Sequence, residues 1–202
     1  MTLYLVRHGL ALAGVGDLDP GLAELGHAQA QAAADALRAH GASRLVVSPL
    51  KRTRETAEPI TVALGLTPEF RSEVAEVFDP SMPSGERQAM IGPFMAGKWS
   101  DQPDVLRQWR ARVVSALLEM GLAAEASGGN LVVVSHYIAI GVAIGEATGN
   151  DLVVPTPIAN CSITSLKVGH GGFTLLQAAD TAHLSPELIS GVNQVTLGKA
   201  PG

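Results

Sequence analysis

The sequence contains a single cysteine, Cys161, among its 202 residues, so no disulfide can form within the chain. This scarcity fits a reducing compartment, and we expect a cytoplasmic protein. No basic stretch followed by an apolar run marks a secretion signal, because Arg7 and His8 interrupt the first apolar segment. The longest apolar stretch, residues 131–145, is too short to span a bilayer. We therefore expect no membrane partner.

Basic residues are also few, since 14 lysine and arginine side chains face 19 acidic ones and the net charge is −5. This balance argues against nucleic acid as a partner, although a local basic pocket stays compatible with it. The sequence has no GxxxxGKS/T segment and no GxGxxG segment, which excludes a standard P-loop and a dinucleotide fingerprint. It also has no HExxH and no paired CxxC segment, so we predict no metal site and no cofactor.

The composition that remains is that of a globular protein, with 47% apolar residues and a length that suits one domain. We predict a single domain over residues 1–202, with a loosely ordered tail after about residue 185. The order β-α-β-α-insert-α-β-α-β-β predicts an α/β fold, namely a three-layer α/β/α sandwich with a mainly parallel central sheet and an antiparallel edge.

The predicted elements follow from apolar runs, helix propensity and turn residues. Helices are predicted over residues 23–40, 49–64, 86–95, 103–126 and 137–149. Strands are predicted over residues 2–6, 44–47, 131–134, 161–168 and 173–178, the last two as an edge hairpin, and residues 74–78 are predicted to form a short strand or an extended edge.

Three predicted strands end in turns that carry charged or reactive side chains. The turns contain Arg7-His8-Gly9, residues 48–52 with Ser48 and Arg52, and Ser135-His136. Gly9 allows a sharp turn or the close approach of a ligand, and Ser48 is predicted to cap the helix that follows it. Because ligands bind at the carboxyl ends of strands in open α/β sheets, these turns form one site if the strands are parallel neighbours.

The side chains in these turns suit a bound phosphoryl group. Backbone N–H groups at helix N-termini attract anions, arginine binds phosphate bidentately, and a neutral imidazole can act as a nucleophile. A lone histidine is more often structural. His8 and His136, each at the end of a strand and accompanied by Arg7 and Arg52, together favour a functional site.

Several segments resemble one known family. Leu5-Val6-Arg7-His8-Gly9 resembles the signature of the histidine phosphatase superfamily, the phosphoglycerate mutase-like proteins. Residues 22–30 resemble its LTELGRAQA segment, and residues 48–57 resemble its SPLxRAxQTA segment. Residues 132–136 resemble the strand that carries its second histidine, and residues 160–163 resemble a late strand of many members. The resemblance runs from residue 2 to about residue 183.

The resemblance implies a role for each matched residue. His8 would attack phosphorus in line and carry the phosphoryl group as phosphohistidine. Arg7, Arg52 and His136 would bind the equatorial oxygens of that group, whose charge must be stabilised in the transition state.

The family also places a carboxylic acid between its second and third motifs, where it would protonate the leaving oxygen and then activate water. Glu76 fits the family pattern best. Glu73 is its main competitor, and Asp79 and Glu86 are weaker candidates.

Two departures from the family pattern concern the pocket. Many members have an asparagine that contacts phosphate in the loop after the first motif, and this chain has none there. Many members have glycine after the second histidine, where this chain has Tyr137. We expect the Tyr137 ring to narrow the pocket or to bond substrate, and we count it among the phosphate-binding candidates. The loop of residues 79–85 is predicted to cover the pocket and set specificity.

The function predicted from this resemblance is metal-independent hydrolysis of a small phosphomonoester through phosphohistidine. The nearest alternative is a phosphoglycerate-type mutase, which returns the phosphoryl group to a second hydroxyl of the substrate. A non-catalytic phosphate-binding protein of the same fold is a second alternative, and a metal site on His8 and His136 is a third, which ligand count does not favour. Nothing in the sequence indicates an oligomeric state.

Overall fold

A computed structural model of the chain describes residues 1–12, 17, 19–78 and 84–192, with the backbone alone for residues 84–88. One six-stranded sheet forms its centre. The strands in chain order are β1 (Thr2–Arg7), β2 (Ala42–Val47), β3 (Pro68–Phe70), β4 (Asn130–Ser135), β5 (Ile163–Gly169) and β6 (Gly172–Asp180). Their order in the sheet is β3-β2-β4-β1-β5-β6. β1, β2, β3 and β4 are parallel to one another, β5 is antiparallel to β1, and β6 is antiparallel to β5.

Helices cover both faces of this sheet. They are α1 (Glu24–Leu37), α2 (Lys51–Leu64), α3 (Ser84–Met95), α4 (Asp104–Ala126) and α5 (Tyr137–Thr148). Leu37 of α1 and Ile60 of α2 pack against Val6 on one face. Leu117 of α4 packs with Leu5 on the other face. The predicted three-layer α/β/α sandwich with an antiparallel edge is confirmed. β1 and β4 are apolar on both faces because both faces are covered.

The sheet register places side by side the three turns that carry charged or reactive side chains. Arg7 at the end of β1 pairs with Ser135 at the end of β4. Val47 at the end of β2 pairs with Val134 of β4. Because β2, β4 and β1 are parallel neighbours, the residues that follow them meet at one edge of the sheet.

The sequence reading of the segment after α2 was wrong. Residues 74–78 form no strand, whereas Pro68–Phe70 forms the edge strand β3 beside β2. Ser72–Val74 is a 3-10 turn. Val74 and Phe78 are apolar because their side chains are buried in the α4 and α5 core, so their spacing reflects contacts with helices and not a strand ladder.

The start of α2 also differs from the prediction. The helix begins at Lys51, and Leu50 is its N-cap residue, without a capping side chain. Ser48 is therefore not a helix cap. Its backbone N–H donates to Val134 O, which fixes the residue at the end of β4.

The chain after residue 185 is more ordered than predicted where it is described. Pro186–Leu188 is a 3-10 turn, and Ser190 O accepts a hydrogen bond from Asn160 N at 3.0 Å. The expected loose tail is thus wrong for residues 186–191. Residues 193–202 lie outside the described residues, as do residues 79–83 of the predicted specificity loop.

Gly9 has a different use from the one the sequence suggested. A Cβ atom at Gly9 would lie 2.5 Å from Gly26 O, and a Cβ atom at Gly26 would overlap Leu10 O. The loop after β1 therefore crosses the first turn of α1 with backbone against backbone. This crossing requires glycine at both positions.

No helix in the described ranges combines the length and the apolar character needed to cross a membrane.

Candidate active site

His8 follows β1 directly and is held at both its backbone and its ring. Its backbone N–H donates to Ser135 O at 3.0 Å. Its ring Nδ1 lies 2.8 Å from Gly9 O. A carbonyl oxygen only accepts, so Nδ1 carries the proton and the lone pair is on Nε2. The side chain is 9% exposed, which leaves Nε2 as the reactive atom of a largely buried ring.

The electrostatic surroundings keep His8 neutral. Burial, the first cause, and the charges of Arg7 and Arg52 place the pKa of His8 well below its ordinary value, against a smaller opposing effect of the Gly9 hydrogen bond. A neutral imidazole retains the lone pair that a nucleophile needs. Burial and the two arginines, whose charges also suit a phosphoryl group, together favour the neutral form of His8.

His136 follows β4, and its ring centroid lies 5.2 Å from that of His8. Ser48 Oγ lies 2.7 Å from its Nε2, so the side chain predicted to cap α2 instead orients this imidazole. His136 is fully buried. Within the described part of the chain its Nδ1 meets no hydrogen-bond partner. Burial, the largest cause, lowers the pKa of His136 well below its ordinary value, and the neighbouring His8, Arg52 and Arg7 act in the same direction.

Arg7 is anchored by backbone carbonyls and an aromatic ring. Its Nη1 donates to Ile158 O at 2.6 Å and to Gly191 O at 3.2 Å. Its Cζ lies 4.8 Å above the centroid of the Tyr137 ring. Burial lowers the pKa of Arg7 to about 10, so the guanidinium stays charged at neutral pH. These contacts fix the direction of its fork, which phosphate binding requires.

Arg52 lies in the first turn of α2 and is 14% exposed at its side chain. Its Nη1 is 3.7 Å from Asp19 Oδ1. Both carboxylate oxygens of Asp19 accept from Lys51 N at 3.0 Å. Asp19 thus caps α2 from another segment and sets a negative charge beside Arg52. No local sequence pattern predicts this contact, because Asp19 lies in a loop 33 residues earlier.

Glu76 lies among the same groups and is held by backbone N–H groups. Val77 N donates to its Oε1 at 2.9 Å, and Ile138 N in the first turn of α5 donates to its Oε2 at 3.4 Å. Burial raises the pKa of Glu76, although these hydrogen bonds and the charges of Arg52 and Arg7 oppose the rise. A carboxyl with a raised pKa holds a proton closer to neutral pH, as a general acid must.

The competing acid candidates do not share this environment. Glu73 is half-exposed, and its carboxylate accepts from Arg71 Nη2 at 2.8 Å. That hydrogen bond lowers the pKa of Glu73, so the group is ionised and engaged elsewhere. Asp79 and the side chain of Glu86 do not belong to the described part of the structure. The structure therefore brings Glu76, and not Glu73, to the two arginines.

Tyr137 is buried, with its ring against the Arg7 guanidinium. Burial raises the pKa of Tyr137, so the phenol stays protonated. The expected contact between Tyr137 and phosphate stays a prediction, and the observed contact is with Arg7.

The sequence reading missed three buried polar side chains around the His8 loop, which are Gln29, Thr56 and Asn160. Asn160 Nδ2 donates to His8 O at 3.0 Å. Thr56 Oγ1 accepts from Gly9 N at 3.0 Å. Gln29 Oε1 accepts from Leu10 N at 2.8 Å. All three lie in segments that resemble the family, but nothing in a single sequence separates a buried polar side chain from an exposed one.

A cavity of about 340 Å³ lies on the α1 face of the sheet, and none of the site residues above lines it. It is lined in part by His40, Asp180 and His183. Across the residues with a described structure, no three His, Cys, Asp or Glu side chains are arranged to hold a metal ion. The chemistry-bearing groups are concentrated at the strand ends and not in this cavity.

Comparison with known proteins matches this site to one family. The model of the histidine phosphatase superfamily (branch 1) matches residues 3–181. The chain is 26% identical over 216 residues to a protein of Yersinia pestis (strain Pestoides F) named probable phosphoglycerate mutase GpmB. That match covers 91% of this chain and 95% of the relative.

Solved structures share the fold. YhfR of Bacillus stearothermophilus superposes with a TM-score of 0.74 at 20% identity, covering 91% of this chain and 99% of that one. A phosphoserine phosphatase of Entamoeba histolytica, solved with 3-phosphoglyceric acid, gives a TM-score of 0.70 at 21% identity with the same coverage. The similarity extends over nearly the whole length of both chains.

Proposed function

The chain belongs to the histidine phosphatase superfamily, and from that premise we propose that it is a metal-independent phosphomonoester hydrolase acting through phosphohistidine on His8. One observation carries the proposal. His8 Nδ1 is engaged by Gly9 O, so the Nε2 lone pair of a neutral ring lies beside two arginines. This arrangement suits nucleophilic attack on an anionic phosphorus centre.

In the first step, His8 Nε2 forms a bond to phosphorus while the bond from phosphorus to the ester oxygen breaks. Arg7, Arg52 and His136 bind the equatorial oxygens, where negative charge spreads in the transition state. His136 donates through Nδ1, the ring nitrogen opposite the Ser48 contact. A dianion that enters this buried site also favours the protonated form of His136, which then donates from both ring nitrogens.

Glu76 supplies the proton that the leaving oxygen needs. Its raised pKa supports this assignment. In the second step a water molecule gives a proton to the Glu76 carboxylate and attacks phosphorus, the bond between phosphorus and Nε2 breaks, and inorganic phosphate leaves. The carboxyl is then protonated again for the next cycle. Both steps balance without a metal ion.

Tyr137 supports Arg7 in this scheme. The ring under the guanidinium holds its fork toward the phosphoryl oxygens. A direct contact between Tyr137 and phosphate is the alternative use of this side chain. We propose a small phosphorylated molecule as the substrate, with a phosphoprotein as the alternative, since either must bring its phosphoryl group to atoms on largely buried side chains.

The test is phosphate release from p-nitrophenyl phosphate in the presence of EDTA. We expect wild type to turn over and His8→Ala to lose activity by at least about 10³-fold, since the nucleophile is gone. His27→Ala is the matched control, because His27 is an exposed histidine on α1, and it should retain wild-type activity. Rapid quenching should trap an acid-labile phosphoprotein in wild type only.

Three results would reject the proposal. Activity that disappears with EDTA and returns with a divalent metal would show that the reaction depends on a metal ion. Equal activity of wild type and His8→Ala would remove His8 as the nucleophile. If neither protein turns over any phosphomonoester but wild type binds phosphate, a phosphate-binding protein becomes the better account.

The second candidate function is a mutase, which the name of the Yersinia relative favours. The name of the structural neighbour from Entamoeba favours a phosphatase. Both reactions begin with the same phosphohistidine and differ in whether water or a substrate hydroxyl takes the phosphoryl group. Incubation with 3-phosphoglycerate separates them, because a mutase interconverts the isomers without releasing phosphate.

A further inference from the structure

Two successive peptide groups after His8 are held by buried side chains from three other parts of the chain. In the peptide between His8 and Gly9, the carbonyl accepts from Asn160 Nδ2 and the N–H donates to Thr56 Oγ1, each at 3.0 Å. In the next peptide, the N–H of Leu10 donates to Gln29 Oε1 at 2.8 Å. The carbonyl of that second peptide is Gly9 O, the acceptor for His8 Nδ1.

The side chains that hold these peptides are themselves connected. Ser190 Oγ donates to Asn160 Oδ1 at 3.2 Å and accepts from Gln29 Nε2 at 2.8 Å. Gln29 Nε2 also donates to Leu188 O at 2.6 Å. The segment 188–190 therefore bridges α1 to the turn that carries Asn160, on the side of the loop away from β4.

The free-energy cost of burying these three polar side chains indicates that their hydrogen bonds to the loop have a role. Gln29, Thr56 and Asn160 are all at most 1% exposed, and burying polar groups is favourable only when they are hydrogen-bonded with good geometry. Apolar side chains could fill the same space. Amide and hydroxyl groups give the loop fixed directions instead, because hydrogen bonds depend on angle whereas apolar contacts do not.

We propose that Thr56, Asn160 and Gln29 are positioning residues that hold the Gly9 carbonyl toward His8 Nδ1, with Ser190 as their connecting residue. Held there, the carbonyl selects the tautomer of His8 with the proton on Nδ1 and the lone pair on Nε2. The inference rests on the proposed function for its catalytic consequence. The orientation of the ring and its tautomer are separate properties of the folded chain.

The test uses a matched pair of substitutions at Thr56. Thr56→Val keeps the shape of the side chain and removes the acceptor for Gly9 N, whereas Thr56→Ser keeps the hydroxyl and removes only a methyl group. The tautomer is read from the ring ¹⁵N resonances of His8, assigned by their loss in His8→Ala. We expect the Nδ1–H form in wild type and Thr56→Ser, and a mixture of tautomers in Thr56→Val.

Turnover of p-nitrophenyl phosphate should follow the tautomer. For Thr56→Val we expect kcat to fall about 10- to 100-fold with KM within about threefold, because misplacing a reacting group costs rate and not ground-state binding. Thr56→Ser should stay within about threefold of wild type in both constants. Ser190→Ala, at the partly exposed end of the network, should show the same pattern with a smaller loss.

Three outcomes would overturn the inference. The first is a folded Thr56→Val protein with the wild-type tautomer and wild-type kcat. The second is an equal loss of kcat in Thr56→Val and in Thr56→Ser. The third outcome applies if Thr56→Val does not fold, and it is a Ser190→Ala protein with the wild-type tautomer and the wild-type kcat. A wild-type protein without phosphatase activity would reject the proposed function, while the ¹⁵N spectra would still decide the positioning role.

Discussion

The two histidines of the candidate site are engaged through opposite ring nitrogens. His8 uses Nδ1 to bond Gly9 O and keeps Nε2 available. His136 uses Nε2 to contact Ser48 Oγ, which leaves Nδ1 as its second polar atom. A difference in hydrogen-bond partner therefore gives two buried imidazoles different capacities, one suited to attack phosphorus and the other to bind a phosphoryl oxygen.

Glu76→Gln should separate the two chemical steps. The amide cannot donate a carboxyl proton or accept one from water, so we expect hydrolysis of alkyl phosphates to slow by at least about 10²-fold. An aryl phosphate has a good leaving group that needs little protonation. Rapid mixing with p-nitrophenyl phosphate should therefore show a burst of p-nitrophenol followed by slow turnover.

Glu73→Gln is the control for this experiment. Glu73 is bonded to Arg71 at the protein surface, so its replacement should change neither the burst nor the steady rate by more than about twofold. If Glu73→Gln shows the burst and Glu76→Gln behaves like wild type, then Glu73 and not Glu76 is the general acid and base.

Asp19→Asn should strengthen the binding of inorganic phosphate. The substitution removes a negative charge from beside Arg52 and keeps a side-chain oxygen that can cap Lys51 N. The Asp19 side chain is 40% exposed, so solvent screens the charge and we expect only about a twofold lower inhibition constant for phosphate. The gain should fade at high salt.

Asp35→Asn is the matched control for Asp19→Asn, because Asp35 is an exposed acid that pairs with Arg38 at the end of α1. It should leave the inhibition constant unchanged. Weaker phosphate binding by Asp19→Asn would instead mean that Asp19 serves mainly to orient Arg52.

At the scale of elements, the crossing of the His8 loop over α1 depends on Gly26. In Gly26→Ala the added methyl group meets Leu10 O, a backbone atom that cannot move alone. We expect a loss of about 1–3 kcal/mol in the free energy of unfolding, measured by urea denaturation. Activity should also fall, because Leu10 belongs to the loop that orients His8.

Gly92→Ala is the matched control, since Gly92 lies in α3 and a Cβ atom there meets no atom within 4 Å. This substitution should change the free energy of unfolding by no more than about 0.5 kcal/mol, because the helix propensity that alanine adds is opposed by the preference of a residue before proline, here Pro93, for extended backbone. Equal effects of the two substitutions would show that the crossing tolerates a side chain.

Elements with strong periodicity were predictable from the sequence, and contacts between distant loops were not. The apolar runs of β1 and β4 and the long α4 are where the patterns placed them. The three-residue β3 was missed because it is too short to show a period. Ser48 was misread because a serine before a proline has the same local signature whether it caps a helix or, as here, contacts an imidazole 88 residues away.

At the scale of the whole molecule, sheet order explains why the site could be predicted at all. Arg7, His8 and His136 follow parallel strands that are direct neighbours, so strand assignment alone brings them together. Glu76 lies in irregular chain and reaches the site through backbone donors on Val77 and Ile138. Its placement therefore depended on the family resemblance and not on periodicity.

The buried histidines should also make part of the stability of the whole fold depend on pH. The pKa of His136 lies well below its ordinary value in the folded chain and returns to about 6.5 on unfolding. As the pH falls through that value, the unfolded chain gains a proton that the folded chain does not, so the stability contributed above it is lost toward acid. Glu76 acts in the opposite sense, because its pKa is raised on folding.

Comparison with His136→Gln isolates the contribution of the histidine to the pH dependence. Between about pH 7 and about pH 5.5, the free energy of unfolding of wild type, measured with urea, should fall by on the order of 1 kcal/mol more than that of the variant. Parallel pH profiles would mean that folded His136 takes up its proton as readily as the unfolded chain does.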